Sequence, residues 1–365
     1  MRVLIFSSVF GVSGSSIRAL LIAEGLQKEG VQVAIAGYTI PATLNEQITK
    51  YVFRTDRTGM EYLAEAAKIF RSDWILGITE DVADWVIYAS KIVNCKSAID
   101  LHGIAIFEII ELGKGYGNRL NRIGKSIKNI RNVAKADLII TDPPNLYPLA
   151  KFLFGKSKVV SVIGMVDTSL FENRLNQSYY NDHEKNHVFY IGNYYKWQGI
   201  ELFLKAAQMV CENANNFDFT ILGSVGKKAA KNILDSPLIS EGIIRILDPV
   251  SHNEVSKYMI SADILVIPRP FMLSTYFGFP SKLCEYMAAG KLIIATDLSP
   301  HRWALKNPDC GILCPPTAKG ISESILNYDS HIAEELGKTA REQAIYRFDY
   351  IKQCKLICKE IQERM

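Results

Sequence analysis

Nowhere do the 365 residues offer the roughly 18 uninterrupted apolar positions that a membrane-spanning helix needs. The opening run, Met1-Arg2-Val3-Leu4-Ile5-Phe6, is too short for a signal peptide and lacks its cleavage region. It reads instead as a first buried strand, and any membrane contact is expected to be peripheral. The seven cysteines (95, 211, 284, 310, 314, 354, 358) lack paired metal spacing with histidines. Cys354 and Cys358 lie one helical turn apart, but nothing nearby completes a zinc set. Scattered and odd in number, the cysteines fit free thiols in a reducing, cytoplasmic compartment. A net charge of +4 is too small for a general nucleic-acid binder, so any basic surface must be local. No acidic cluster resembles a divalent-cation site, so neither a metal nor another cofactor is expected.

What the chain does have is ample apolar content, 48%, and length beyond one ordinary domain. Short β-branched runs alternate with helical stretches: Val3–Ser7, Val31–Ala36, Trp74–Gly77, Ser97–Leu101, Leu138–Thr141 and Val159–Ile163 read as strands. The helix over 15–28 turns Ala19, Ile22, Ala23 and Leu26 inward. A polar connector over 171–186 interrupts the pattern. It restarts with strands at Val188–Ile191, Phe217–Leu222, Ile243–Leu247, Ile264–Ile267 and Leu292–Thr296. Such alternation argues for parallel sheets with helices on both faces. The division expected is an α/β domain over 1–170, a second over 187–346, and a tail over about 347–365 that packs back on the first. The region 330–365 reads as helical, with a break near Phe348-Asp349.

The most informative segment is Phe277-Gly278-Phe279-Pro280-Ser281-Lys282-Leu283-Cys284-Glu285-Tyr286-Met287-Ala288-Ala289-Gly290. It reads as loop, short helix and left-handed Gly290 end, set between two buried strands. The helix N-terminus then opens at the carboxyl edge of a sheet, where α/β folds bind ligands and free amides favour anions. Glu285, more than a turn further in, suits a ribose diol whose diphosphate sits at Ser281 and Lys282. The arrangement suggests a nucleotide-diphosphate site.

Five other features bear on the reading. Gly11-Val12-Ser13-Gly14-Ser15-Ser16 follows the first strand and is either a ligand loop, with Gly14 close to a phosphate, or a plain turn. Gly192-Asn193-Tyr194-Tyr195-Lys196-Trp197-Gln198-Gly199 is its counterpart in the second half. His102, at the end of a strand, could bond a sugar hydroxyl or assist proton movement. Arg269, in Pro268-Arg269-Pro270, could join Lys282 in neutralising a diphosphate. Residues 114–135 hold Arg119, Arg122, Lys125, Lys128 and Arg131 with no acid. A helical wheel gathers Leu120, Ile123, Ile127, Ile130 and Ala134 on one face, with the cations outside it. That leaves a solvated face or a patch for an anionic membrane or a lipid-diphosphate acceptor.

In this order the pieces resemble glycosyltransferase family 4, retaining enzymes of the GT-B fold. The resemblance runs over nearly the whole chain. It includes Gly14 and the helix up to Gly30-Val31-Gln32-Val33, Ala136-Asp137-Leu138-Ile139-Ile140-Thr141, and Val166-Asp167 before Phe171. It is strongest from Gly278-Phe279-Pro280 to Gly290, and Cys310-Gly311-Ile312-Leu313-Cys314-Pro315-Pro316 resembles the usual sequel.

The resemblance implies two Rossmann-like domains facing across a cleft. The second half would hold a nucleotide-sugar donor, with the acceptor entering against the first. Glu285 matches the second acid of the family's paired glutamates, and His102 the histidine near the transferred sugar. The first glutamate falls on Phe277, the diphosphate-gripping Arg and Lys on Asn193 and Gln198, and the Asn-Gly before Val-Asp on Gly164-Met165. Lys196, Arg269 and Lys282 remain as substitute cations, and lost cations weaken transition-state stabilisation.

The expected activity is transfer of a hexose-type sugar from a UDP- or GDP-sugar to a glycan or lipid-linked saccharide, in cell-surface polysaccharide or glycoconjugate synthesis. The catalytic candidates are His102 and Glu285. The donor-binding candidates are Gly14, Gly192, Lys196, Gln198, Arg269, Gly278, Phe279, Ser281, Lys282, Leu283 and Glu285. The departures leave open a catalytically silent GT-B subunit. An epimerase would need acid–base carboxylates of which no obvious set appears.

Overall fold

Val3 and Ile5 fill one side of the first strand while Leu4 and Phe6 fill the other, all fully buried. Successive side chains on a strand point to opposite faces, so a wholly apolar strand must be covered on both. The computed structural model answers that demand with layers of helices. It describes all residues except 9, 11–13, 42–43, 55–57, 112–117, 173–179, 181–183, 224–236 and 307, with the Ser157 side chain also set aside. The remainder divides into two compact units, one of Met1–Met165, Phe277–Phe279 and Phe348–Met365, the other of Val166–Tyr276 and Pro280–Arg347. Much of the expected connector, and residues 11–13 of the first loop, lie outside the described residues.

The first unit carries seven parallel strands: β1 (Arg2–Phe6), β2 (Gln32–Gly37), β3 (Thr49–Val52), β4 (Trp74–Ile78), β5 (Lys96–Leu101), β6 (Leu138–Thr141) and β7 (Val159–Ser161). Their order is β3-β2-β1-β4-β5-β6-β7. The Gly14–Lys28 helix buries Ala19, Ile22, Ala23 and Leu26 as its pattern requires. The chain's last helix, Tyr350–Gln362, packs along it through Cys354, Ile357, Cys358 and Ile361. Burying one such aliphatic side chain stabilises by about 1.5–3 kcal/mol, which ties the C-terminus to this unit. A short π-helical turn, Ala344–Phe348, marks the expected break before it.

The second unit has six parallel strands: β8 (Asn186–Ile191), β9 (Phe217–Leu222), β10 (Ile244–Leu247), β11 (Ile264–Ile267), β12 (Leu292–Thr296) and β13 (Ile312–Cys314). The order is β10-β9-β8-β11-β12-β13. Between β11 and β12 the chain forms two helices rather than the one expected, Leu273–Phe277 and Ser281–Ala289.

In the Arg119–Val133 helix the buried residues are Ser126, Asn129, Asn132 and Val133, whereas Leu120 is 82% exposed and Ile127 and Ala134 also face out. Val133 and Ile130 pack on the apolar core, but Ser126 and Asn129 meet a polar surface. Ser126 Oγ donates to Glu80 Oε1 at 2.9 Å, and Asn129 Nδ2 donates to Asp81 Oδ1 at 3.2 Å. A buried carboxylate such as Glu80 needs donors, and that need outweighs the transfer of two or three aliphatic side chains. The outward face therefore combines Leu120 and Ile127 with Lys125, Lys128 and Arg131. Residues 114–117 of the basic stretch lie outside the described residues. No described helix is long and apolar enough to cross a membrane.

Candidate functional site

The second sheet reverses its order of growth between β8 and β11. In open parallel sheets ligands bind outside the strands' carboxyl ends at such a reversal. Three segments meet there: residues 192–199 after β8, Pro268-Arg269-Pro270 after β11, and the Ser281–Ala289 helix. Gly199 has φ 78°, and a Cβ on it would lie 1.8 Å from the Pro268 carbonyl oxygen. Only glycine lets these two loops touch.

The Ser281–Ala289 helix has Pro280 at its N-cap and no side-chain cap, and it ends at Gly290 with φ 68°. Its uncapped end is the kind that binds anions. One turn of it grips the last residue of β8 twice. Lys282 Nζ donates to the Ile191 carbonyl at 2.6 Å, and the Ile191 N–H donates to the Tyr286 hydroxyl at 3.1 Å. Lys282 donates also to Gln198 Oε1 at 2.7 Å and lies 5.2 Å from the Tyr190 ring centroid. Gly192 leaves room for it, since a Cβ there would come 2.7 Å from Nζ.

Enclosure lowers the Lys282 pKa to about 7, the Arg269 guanidinium pushes it the same way, and Glu285 opposes. Arg269 is only 9% exposed. Its carbonyl accepts from the Thr296 hydroxyl at 2.7 Å, and His301 Nδ1 donates to the Thr296 carbonyl at 2.6 Å. Enclosure, with Arg269 adding to it, drops His301 to about 3, so its ring is neutral. Glu285 sits three residues beyond Lys282, and its Oε1 is 2.7 Å from His252 Nε2.

The structure thus brings together Gly192, Gln198, Arg269, Lys282 and Glu285 of the expected donor-binding set, with Ser281 exposed at the helix tip. Lys196 is exposed in a short turn between Tyr195 and Trp197, whose rings stack at 4.4 Å and 3°. Leu283 points into the core, and its amide already bonds the Pro280 carbonyl at 2.9 Å. Phe279 is buried and stacks on Phe348, and Gly278 beside it is half-buried; both group with the first unit. Phe277, in the same segment, stacks on Phe107 at 5.0 Å.

In the first unit, Gly14 opens its helix and is exposed. His102 follows β5, and its Nε2 meets Asp100 Oδ2 at 2.5 Å. Asp100 is fully buried. It accepts from Arg18 Nε at 2.8 Å and NH2 at 3.1 Å, and Arg18 NH1 donates to the Ile163 carbonyl at 3.0 Å. Though burial opposes it, Arg18 and His102 together hold Asp100 well below the usual carboxylate range. Burial pushes Asp142, 3.5 Å from Arg18, upward instead.

Sequence reasoning assigned no role to His252, His301, Tyr286, Thr296, Arg18 or Asp100. Asp100 lay in view beside His102, and Tyr286 beside Glu285. The others are joined to their partners only by the fold.

No curated protein matches the chain in sequence. Sucrose-phosphate synthase from Thermosynechococcus elongatus is similar in structure, with a TM-score of 0.76 at 16% identity over 99% of this chain and 98% of that one. HepE of Anabaena, solved with UDP-glucose, gives 0.76 at 15% identity over all of both chains. TarM of S. aureus, solved with UDP and α-GlcNAc-glycerol, gives 0.75 at 10% identity over 99% of each. Residues 172–343 match the family model of the glycosyl transferases group 1. That segment is thus similar to the group 1 glycosyl transferases, and the chain's two parallel-sheet units have the GT-B fold.

Proposed function

We propose that the chain is a retaining glycosyltransferase of family 4, taking a hexose-type sugar from a UDP- or GDP-linked donor to a glycan or lipid-linked saccharide. Its setting would be cell-surface polysaccharide or glycoconjugate synthesis. One observation carries the reading: Lys282 and Arg269 stand close enough at the strand reversal to repel each other, beside an uncapped helix N-terminus. Two enclosed cations in mutual repulsion are stabilised by an anion of matching charge, and a nucleoside diphosphate supplies it. The departing diphosphate gathers negative charge in the transition state, so the same pair would also lower the barrier. Glu285 would take the ribose, Gly14 would approach the phosphates, and His102 would orient the reacting sugar. UDP-glucose in HepE and UDP in TarM support this donor class.

Charge balance by Lys282, Arg269 and helix amides calls for no divalent ion, so a chelator is expected to leave turnover unchanged. We place the protein in the cytoplasm, peripherally on its membrane face, through the outward cations and Leu120 and Ile127 of the Arg119–Val133 helix.

The test is a thermal-shift panel of UDP-, GDP- and ADP-sugars. A donor at roughly 100 times its dissociation constant adds about 2.7 kcal/mol. No shift with any of them removes the reading. A second reading, a catalytically silent GT-B subunit, is favoured by Phe277, whose stacking on Phe107 fills the place of the family's first glutamate. Turnover of any donor by the isolated chain excludes it.

A further inference from the structure

His252 is the first residue of the His252–Ser261 helix, whose start is fixed by reciprocal capping between Ser251 and Glu254. That helix packs against both the Ser281–Ala289 helix and the Thr168–Phe171 turn. The packing delivers His252 Nε2 to 2.7 Å from Glu285 Oε1, with both side chains still reachable by solvent, at 30% and 13% exposure. Asp167 adds a second carboxylate field. Its own oxygen accepts from the Ser169 amide at 3.0 Å and hydroxyl at 2.6 Å, which holds it still. Burial opposes the imidazolium, yet the Glu285 bond and the two carboxylates raise the ring's pKa overall.

A glutamate on a helix turns about three side-chain bonds, whereas a vicinal diol needs acceptor oxygens at one separation and in one plane. Anchoring Oε1 fixes that plane and leaves Oε2 for the ligand. We infer that His252 is a positioning residue of the nucleoside subsite, its Nε2–H holding the Glu285 carboxylate in register with the ribose hydroxyls. The inference rests on the donor-site reading above.

Calorimetric titration of UDP and GDP against their 2′,3′-dideoxy forms tests this, because only the ribose hydroxyls differ. His252→Ala is expected to weaken the ribonucleotide that binds by about tenfold, the value of one hydrogen bond to a charged group. The dideoxy form should change by less than about twofold. His252→Gln, which keeps a donor N–H, should recover most of the loss, and His252→Ala should add nothing to Glu285→Ala. Equal weakening of both nucleotide forms by His252→Ala, or full retention of ribose discrimination, overturns the inference. If Glu285→Ala also retains that discrimination, or neither ribonucleotide binds the unmodified protein, the donor-site reading itself fails. Discrimination lost in Glu285→Ala but kept in His252→Ala removes only the role of His252.

Discussion

Lys282 donates to Gln198 Oε1 at 2.7 Å, joining the helix after β11 to the loop after β8. Where the family resemblance would put a lysine on that loop, the chain has an amide that holds a lysine arriving from another element. The cation is retained from a different point of the fold. With its pKa lowered to about 7, Lys282 is largely neutral in the empty site above that pH. A diphosphate favours the ammonium, so binding draws in a proton. Nucleotide affinity should therefore fall as pH rises above about 7, by up to tenfold per unit. Titrations in buffers of different ionisation heat read the proton directly, and Lys282→Gln should flatten the profile. Constant affinity from about pH 7 to about pH 9 in the unmodified protein contradicts the assignment.

The Arg18–Asp100 pair is buried, and His102 hangs from its carboxylate. Asp100→Asn removes the nearer of two carboxylates from the buried Arg18 guanidinium and should cost on the order of 3–5 kcal/mol. Because the folded Asp100 pKa is depressed, its contribution is complete above the unfolded value and is lost only as strong acid protonates it. His102→Ala, at a partly exposed position, should leave unfolding nearly unchanged and lower kcat by on the order of a hundredfold. Chemical denaturation and initial rates separate the two; a stable Asp100→Asn protein refutes the first.

Burial raises Glu80 to about 7, although Ser126 and the Ala105 amide bond one of its oxygens. A carboxyl with a raised folded pKa stabilises below its unfolded value, and that stability is lost as pH climbs through about 7. Glu80→Gln keeps the acceptor and removes the charge. It should be near neutral at about pH 4.5 and stabilise by on the order of 2–3 kcal/mol at about pH 8. Equal melting temperatures at the higher pH would show that Glu80 is not held this way.

Vesicles containing phosphatidylglycerol test the outward face of the Arg119–Val133 helix. Lys125→Glu and Arg131→Glu should each weaken adhesion at least fivefold, from about 1 kcal/mol per basic residue at the surface. Leu120→Ser should weaken it at any ionic strength, while salt should release the protein as the charges are screened. Binding unaffected by all three changes would assign the cations to a solvated surface.

Both sheets were largely legible because their central strands are buried on two faces and so read as short β-branched runs. β3 was not: Thr49-Lys50-Tyr51-Val52 lies at a sheet edge, with Val52 59% exposed, and an edge strand needs no apolar pattern. The covered face of the Arg119–Val133 helix was not legible, because periodicity presumes an apolar neighbour and Ser126 and Asn129 meet Glu80 and Asp81 instead. At the candidate site, Gly199, Lys282 and Glu285 stood out through turn and helix-end chemistry. His252 did not. Its partner is 33 residues away, and its only local mark is the position just after a capping serine. Arg18 was hidden likewise, since its partner Asp100 lies 82 residues on.

A crystal structure with a UDP- or GDP-sugar bound is the most direct measurement. The pyrophosphate should lie against the Ser281 end of its helix within reach of Lys282 and Arg269, with the ribose hydroxyls on Glu285. Donor density elsewhere, with that end of the sheet unoccupied, would contradict the account.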